Sequence, residues 1–202
     1  MSIALVDYGA GNLTSVIKGF REVGADLRVV SAVEDTVGAS AIVVPGVGHF
    51  SATASLGPEW RTAVQQALGR GVPLLGICLG MQWLFDGSSE AADTPGLGLI
   101  AGRCFRLEGD VKVPHVGWNT LTMAPRPSRL FEGVASECTA YFTHSYVAPV
   151  VPDTIATTTH AVPFSSAIER GIVFGAQFHP EKSGKTGLTM LSNFLRVVQG
   201  AA

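Results

Sequence analysis

A chain of 202 residues, 47% apolar and 15% charged, is long enough to bury one good-sized core and too apolar to remain disordered. Fourteen basic against sixteen acidic residues leave a formal charge of -2, and no basic cluster or basic amphipathic stretch occurs, so neither nucleic acid nor a membrane surface is expected as a partner. Cys78, Cys104 and Cys138 are odd in number, far apart and without Cys-x-x-Cys spacing, which argues against a disulfide framework or a zinc site; no metal and no cofactor are expected. The apolar run at Ile3 follows no basic leader, and the longest apolar stretches are broken well short of a spanning helix, so a cytoplasmic protein is expected.

Residues 2–6 read as a short buried strand. The glycine-rich stretch Asp7-Tyr8-Gly9-Ala10-Gly11-Asn12 follows, then a helical pattern over 13–23. Strands at 27–30, 41–44 and 74–77, with a helix around 60–68, continue the alternation, which predicts a parallel sheet covered by helices on both faces. The Gly-x-Gly at 9–11 lacks the third glycine and the later acidic partner of a dinucleotide loop. After Phe85 the texture changes. Residues 86–95 read as a polar loop, and short strands are expected at 99–107, 112–117, 140–147, 154–159 and 166–169. Pro125, Pro127, Pro149, Pro152 and Pro163 punctuate this half, so these strands are expected to be largely antiparallel, packed beside the parallel core. A buried strand over 171–178 and a helix over 186–198 close the chain. With no linker, repeat or low-complexity segment, residues 1–202 are read as a single domain.

Chemistry concentrates at two places. The apolar run ending at Ile77 leads into Gly76-Ile77-Cys78-Leu79-Gly80, and Met81-Gln82-Trp83-Leu84-Phe85 continues as an amphipathic helix. This has the logic of a nucleophile elbow with sulfur in place of hydroxyl: flanking glycines permit a tight, strained turn, and Cys78 is held at the carboxyl end of a sheet and at a helix N-terminus that favours a thiolate. On this stretch alone a buried structural thiol remains open. The second place is Phe178-His179-Pro180-Glu181-Lys182-Ser183, at the end of the last buried strand. A proline after His179 biases it to the extended region, where His179 and Glu181, two apart, share a face. A thiol nucleophile needs a base, and the base needs a carboxylate to fix its tautomer, so Cys78, His179 and Glu181 are the expected catalytic triad. Pro45-Gly46-Val47-Gly48-His49-Phe50 lies at the end of the third strand, on the edge where such sheets place ligands. It can offer a backbone N–H to an oxyanion, joined by the N–H of Leu79. Because Gly46 and Gly48 flank Val47, that peptide unit can turn either its N–H or a carbonyl toward the hole, so the hole is not expected to be assembled in the resting protein. His49 and His160 read as structural, and Cys104 and Cys138 as non-chemical.

The elbow with His179-Pro180-Glu181 resembles the class I (triad) glutamine amidotransferases. The stretches 7–12, 45–50, Val113-Pro114-His115-Val116-Gly117-Trp118-Asn119, Tyr141-Phe142-Thr143-His144-Ser145-Tyr146 and 178–183 together resemble, within that family, the glutaminase subunits of imidazole glycerol phosphate synthases. The resemblance runs from Asp7 to the last helix, with no departure at a triad position. It implies a flavodoxin-like class I amidotransferase fold and glutamine hydrolysis in histidine biosynthesis, with ammonia passed to a separate cyclase subunit, a (β/α)8 barrel, in a heterodimer. It also implies that Gly46, Gly48, Gln82 and the backbone of His144, Ser145 and Tyr146 bind glutamine, that Asn12, Trp118 and Lys182 face the partner, and that hydrolysis is stimulated when the partner holds its own ligand. Other readings are a glutaminase subunit of an anthranilate or pyridoxal phosphate synthase, which would not carry 113–119 as written, a cysteine peptidase or deglycase of related fold, which would not need Gln82, and a binding protein with vestigial catalytic residues.

Overall fold

The structure, a computed structural model, describes residues 1–200. Its first half alternates as predicted: β1 (Ile3–Val6), α1 (Leu13–Glu22), β2 (Leu27–Val30), β3 (Ala41–Val44), α2 (Pro58–Gly69), β4 (Leu74–Ile77) and α3 (Leu79–Trp83). The second half carries β5 (Phe85–Ser88), β6 (Ala91–Pro95), β7 (Ile100–Arg106), β8 (His115–Met123), β9 (Cys138–His144), β10 (Tyr146–Val147), β11 (Thr154–His160) and β12 (Val162–Arg170). Then β13 (Val173–Ala176) and α4 (Gly184–Gly200) return to the core.

Nine strands share one sheet in the order β2-β1-β3-β4-β13-β12-β11-β8-β9. The stretch from β2 to β13 is parallel and the pairings beyond β13 are antiparallel, so the extra strands extend the same sheet sideways. β1, β3, β4 and β13 are buried at every position, as continuous apolar runs inside a parallel sheet require, whereas the edge strand β2 is half exposed. Val16 and Phe20 of α1 cover one face with Met190, Leu191 and Phe194 of α4, and Phe194 meets Phe20 and Phe174 edge-on with centroids 6.4 and 5.8 Å apart. Trp60, Val64 and Ala67 of α2 cover the other face beside a four-stranded sheet, β10-β7-β5-β6.

One pairing matters most for function. β13 runs parallel to β4 with Gly175 opposite Gly76 and Ala176 opposite Ile77. The next residues of each chain, Cys78 after β4 and 177–179 after β13, therefore emerge side by side at the carboxyl edge, although about a hundred positions separate them.

Four expectations need correction. The strand expected at 140–147 is two, β9 and β10, which break at Ser145 and join different sheets. The helix after the elbow is short and buried on all sides, ending at Trp83, because the backbone N–H groups of Leu97 and Leu99 bond to the Trp83 and Leu84 carbonyls and draw the chain into β5. The supposed loop 86–95 holds β5 and β6. The strand expected at 112–117 runs instead over His115–Met123, because Gly117, which reads as a terminator, is accommodated inside the strand at φ +133°.

Candidate active site

Cys78 caps α3 at φ +53°, ψ −107°, a conformation that side chains rarely adopt and that costs about 1–3 kcal/mol. The surroundings enforce it. A methyl group on Gly80 would collide with the Val44 carbonyl, and one on Gly76 with the backbone of Gly80, so the elbow can press against β3 only with glycine at both places. The Cys78 N–H bonds to the Ala176 carbonyl at 2.7 Å, tying the turn to β13. The thiol is nearly buried, with the residue 5% exposed, yet it borders a cavity of about 270 Å³. That is below the usual range for drug-sized ligands and suits a small metabolite.

His179 is extended, as the following proline predicts, but Pro180–Lys182 forms a 3-10 turn. It is this turn, and not strand alternation, that folds Glu181 back so that its Oε1 lies 2.8 Å from His179 Nδ1, with both side chains almost wholly buried. Burial disfavours a charged His179, but the Cys78 thiol and Glu181 outweigh it and hold the imidazole pKa up at about 10. Nε2 is buried and completes no hydrogen bond among the described residues, and the thiol is near enough to stabilise the imidazolium without completing one. His179 is anchored through its backbone: its N–H bonds to the Tyr141 carbonyl at 3.0 Å, and Ser183 Oγ donates to the His179 carbonyl while accepting from the Tyr141 N–H.

The other expected residues divide. Gly48, Leu79, Gln82, His144, Ser145 and Tyr146 line the cavity together with Cys78; Gly46 and Val47 do not. Gln82 is buried, its amide donating to the Tyr146 carbonyl at 2.8 Å and to Gln177 Oε1 at 3.1 Å. The Leu79 N–H, expected in the oxyanion hole, meets the Gly46 carbonyl at 3.4 Å, so the carbonyl of the Gly46–Val47 peptide points at the hole and the Val47 N–H does not. Asn12, Trp118 and Lys182 are exposed, Trp118 by 57%. Asn12 accepts from the Ser15 N–H and caps α1, and the Trp118 ring stands edge-on to Tyr141 and reaches Gly184, just beyond Lys182. Among the described residues no group of His, Cys, Asp and Glu could hold a metal ion, and no helix is long and apolar enough to cross a membrane.

A family model described as glutamine amidotransferase class-I matches residues 4–198. The chain belongs to the class I glutamine amidotransferases. It is 48% identical over 200 residues to the imidazole glycerol phosphate synthase subunit HisH of Deinococcus radiodurans, covering 96% of this chain and 93% of that one. It is 46% identical to the subunit of the same name from Natronomonas pharaonis, again over 96% of this chain and 93% of the other. The solved structure of PurLQS from Thermotoga maritima superposes with a TM-score of 0.74 at 17% identity, over 96% of this chain and 97% of that one, a likeness of fold. Within this amidotransferase, sequence reasoning missed three residues at the site. Tyr8 donates its hydroxyl to the Pro45 carbonyl at 2.8 Å, and burial, with the nearby Cys78, pushes its pKa up. Gln177 reaches Cys78 Sγ with its amide at 3.7 Å, and Ser183 clamps His179. Tyr8 stood in a motif stretch without a role, while nothing in the local pattern marked Gln177 or Ser183.

Proposed function

We infer that Cys78, His179 and Glu181 form the working triad of this chain, which is the glutamine-hydrolysing subunit of an imidazole glycerol phosphate synthase in histidine biosynthesis. What carries the reading is the pairing of β4 with β13, which brings a strained elbow cysteine that borders the cavity and a carboxylate-bound histidine to one sheet edge. The Cys78 thiolate attacks the side-chain amide carbon of glutamine, and the tetrahedral oxyanion is met by the N–H groups of Leu79 and Val47. His179 Nε2 protonates the departing ammonia, leaving a thioester, then takes a proton from water as it cleaves that thioester to glutamate. Glu181 orients His179 and supports its charge without accepting the proton. Gln82, Gly46, Gly48 and the backbone at 144–146 hold the amino-acid end of the substrate.

Residues 1–202 act as one domain, in the cytoplasm, and release ammonia to a cyclase subunit built as a (β/α)8 barrel, in a heterodimer whose contact face includes Asn12, Trp118 and Lys182. The resting hole is occupied by the Gly46 carbonyl, and a flip of that peptide activates it. Losing one oxyanion donor costs about 100- to 1000-fold in rate, enough for the flip to gate hydrolysis. The decisive experiment measures glutamine hydrolysis by this chain alone, with the cyclase subunit, and with the cyclase subunit plus its acceptor ligand. The rate is expected to rise at each step. Equal, measurable rates would overturn the gate and leave the triad standing; no hydrolysis in any condition would overturn the glutaminase itself.

A further inference from the structure

Behind the cavity wall at 143–146, two histidines and an asparagine are joined head to tail, and their protons can be placed by elimination. Asn119 Oδ1 accepts from the Thr120 backbone N–H at 2.8 Å, and Asn119 Nδ2 donates to the Thr159 carbonyl at 3.2 Å. A backbone N–H can only donate and a carbonyl can only accept, so the amide cannot be reversed. The same Nδ2 meets His115 Nε2 at 3.2 Å. That nitrogen must accept, which leaves the His115 proton on Nδ1, and Nδ1 meets His144 Nε2 at 3.3 Å. His144 Nε2 accepts in turn. The His144 proton therefore sits on Nδ1.

The surroundings keep this chain neutral. Burial and His160 push the His115 pKa down to about 4; burial and the neighbouring His115, His179 and His160 push that of His144 down to about 3, against a weaker upward pull from the Tyr146 backbone. His160, stacked on His115 with centroids 4.1 Å apart, bonds through Nε2 to the Lys112 carbonyl and stays outside the relay. The terminal His144 Nδ1–H is buried, and among the described residues it completes no hydrogen bond. The same wall is tied on its other flank by the Gln82 amide, which donates to the Tyr146 carbonyl.

We propose that Asn119 and His115 are positioning residues that fix His144, which lines the cavity, as the Nδ1–H tautomer, and that this buried donor keeps the cavity wall at 143–146 in the form that receives glutamine. The proposal rests on the reading of the cavity as the glutamine site. Reversing the chain would turn this buried N–H of the wall into a lone pair, and the wall would readjust around it. Binding would weaken before the chemistry at Cys78.

The test combines ¹⁵N NMR of the histidine side chains of the intact protein at pH 8 with the KM and kcat for glutamine in the assembled synthase. The variants are Asn119→Asp and Asn119→Ala. A carboxylate still accepts from the Thr120 N–H but has nothing to donate to His115. In Asn119→Asp both His115 and His144 are therefore expected as Nε2–H tautomers, with KM raised about tenfold and kcat within about twofold. Asn119→Ala, which unlocks the chain without reversing it, should give mixed tautomers and a smaller rise in KM. A merely structural Asn119 would lower the melting temperature and leave tautomers and KM alone, and that result overturns the proposal. So does a wild-type His115 or His144 in the Nε2–H form, a measurement that holds even if a variant fails to fold. So too does a reversed chain with unchanged KM. Tautomers as expected in a wild type that turns over no glutamine would instead count against the glutamine site.

Discussion

Cys78 occupies a backbone conformation that only glycine takes freely, and Gly76 and Gly80 on either side leave it no other. Its expected role could be read from the Gly-x-Cys-x-Gly spacing, because that spacing is itself the steric requirement. The partners are a different matter. His179 and Glu181 could be named, but the turn that joins them at 2.8 Å, and the Ser183 clamp behind it, depend on packing against β9 that no local pattern encodes. Because triad members act as a unit, His179→Ala should lower glutamine turnover about as much as loss of the nucleophile, by roughly a thousandfold or more, and Glu181→Gln distinctly less. Steady-state kinetics on Cys78→Ala, His179→Ala and Glu181→Gln checks this ranking, and a fully active His179→Ala would contradict it. The raised His179 pKa also has a stability consequence. Its ordinary value is 6.5 and its folded value about 10, so its contribution is fully present below about pH 6.5 and is lost as pH rises toward 10. Thermal melts of the wild type should therefore fall more steeply across that window than melts of His179→Gln.

Among the elements, the parallel half was legible because a strand buried on both faces is a continuous apolar run, and β1, β3, β4 and β13 are such runs. The chain between Phe85 and Pro95 was not. Its two strands are short, and Asp86, Gly87, Ser88, Ser89 and Pro95 are residues typical of turns, so the stretch reads as loop. β8 was misplaced because Gly117 resembles a stop, yet the strand continues beyond it and alternates, with Val116, Trp118 and Thr120 turned outward. That outward face is the one proposed to meet the cyclase subunit. An exposed tryptophan backed by Tyr141 has the character of an interface hot spot, where truncation commonly costs about 2 kcal/mol or more of binding. Trp118→Ala should weaken association with the cyclase subunit by roughly thirtyfold, read by titration calorimetry, with little change in melting temperature. A variant that melts far below wild type and still binds normally would place Trp118 in the fold instead.

At the scale of the whole molecule, one sheet carries both the proposed triad and the surface proposed to meet the partner. Its parallel strands deliver Cys78 and His179 to the carboxyl edge, and its antiparallel extension supplies Tyr141, which holds the His179 backbone, and Trp118, which faces outward. The Gly46 carbonyl turned to the Leu79 N–H suits the proposed gate, since hydrolysis without a waiting acceptor wastes ammonia. The division of labour could be inferred from the motifs; the loop orientation could not, because two glycines permit both states and only the assembled fold selects one. The central claim is that this chain makes ammonia at Cys78 and that another subunit consumes it. The most direct measurement is synthesis by the assembled enzyme carrying Cys78→Ala, with glutamine or with added ammonium as the nitrogen source. Glutamine-dependent synthesis should vanish while ammonium-dependent synthesis stays near wild type; glutamine-dependent synthesis that survives the substitution would contradict the account.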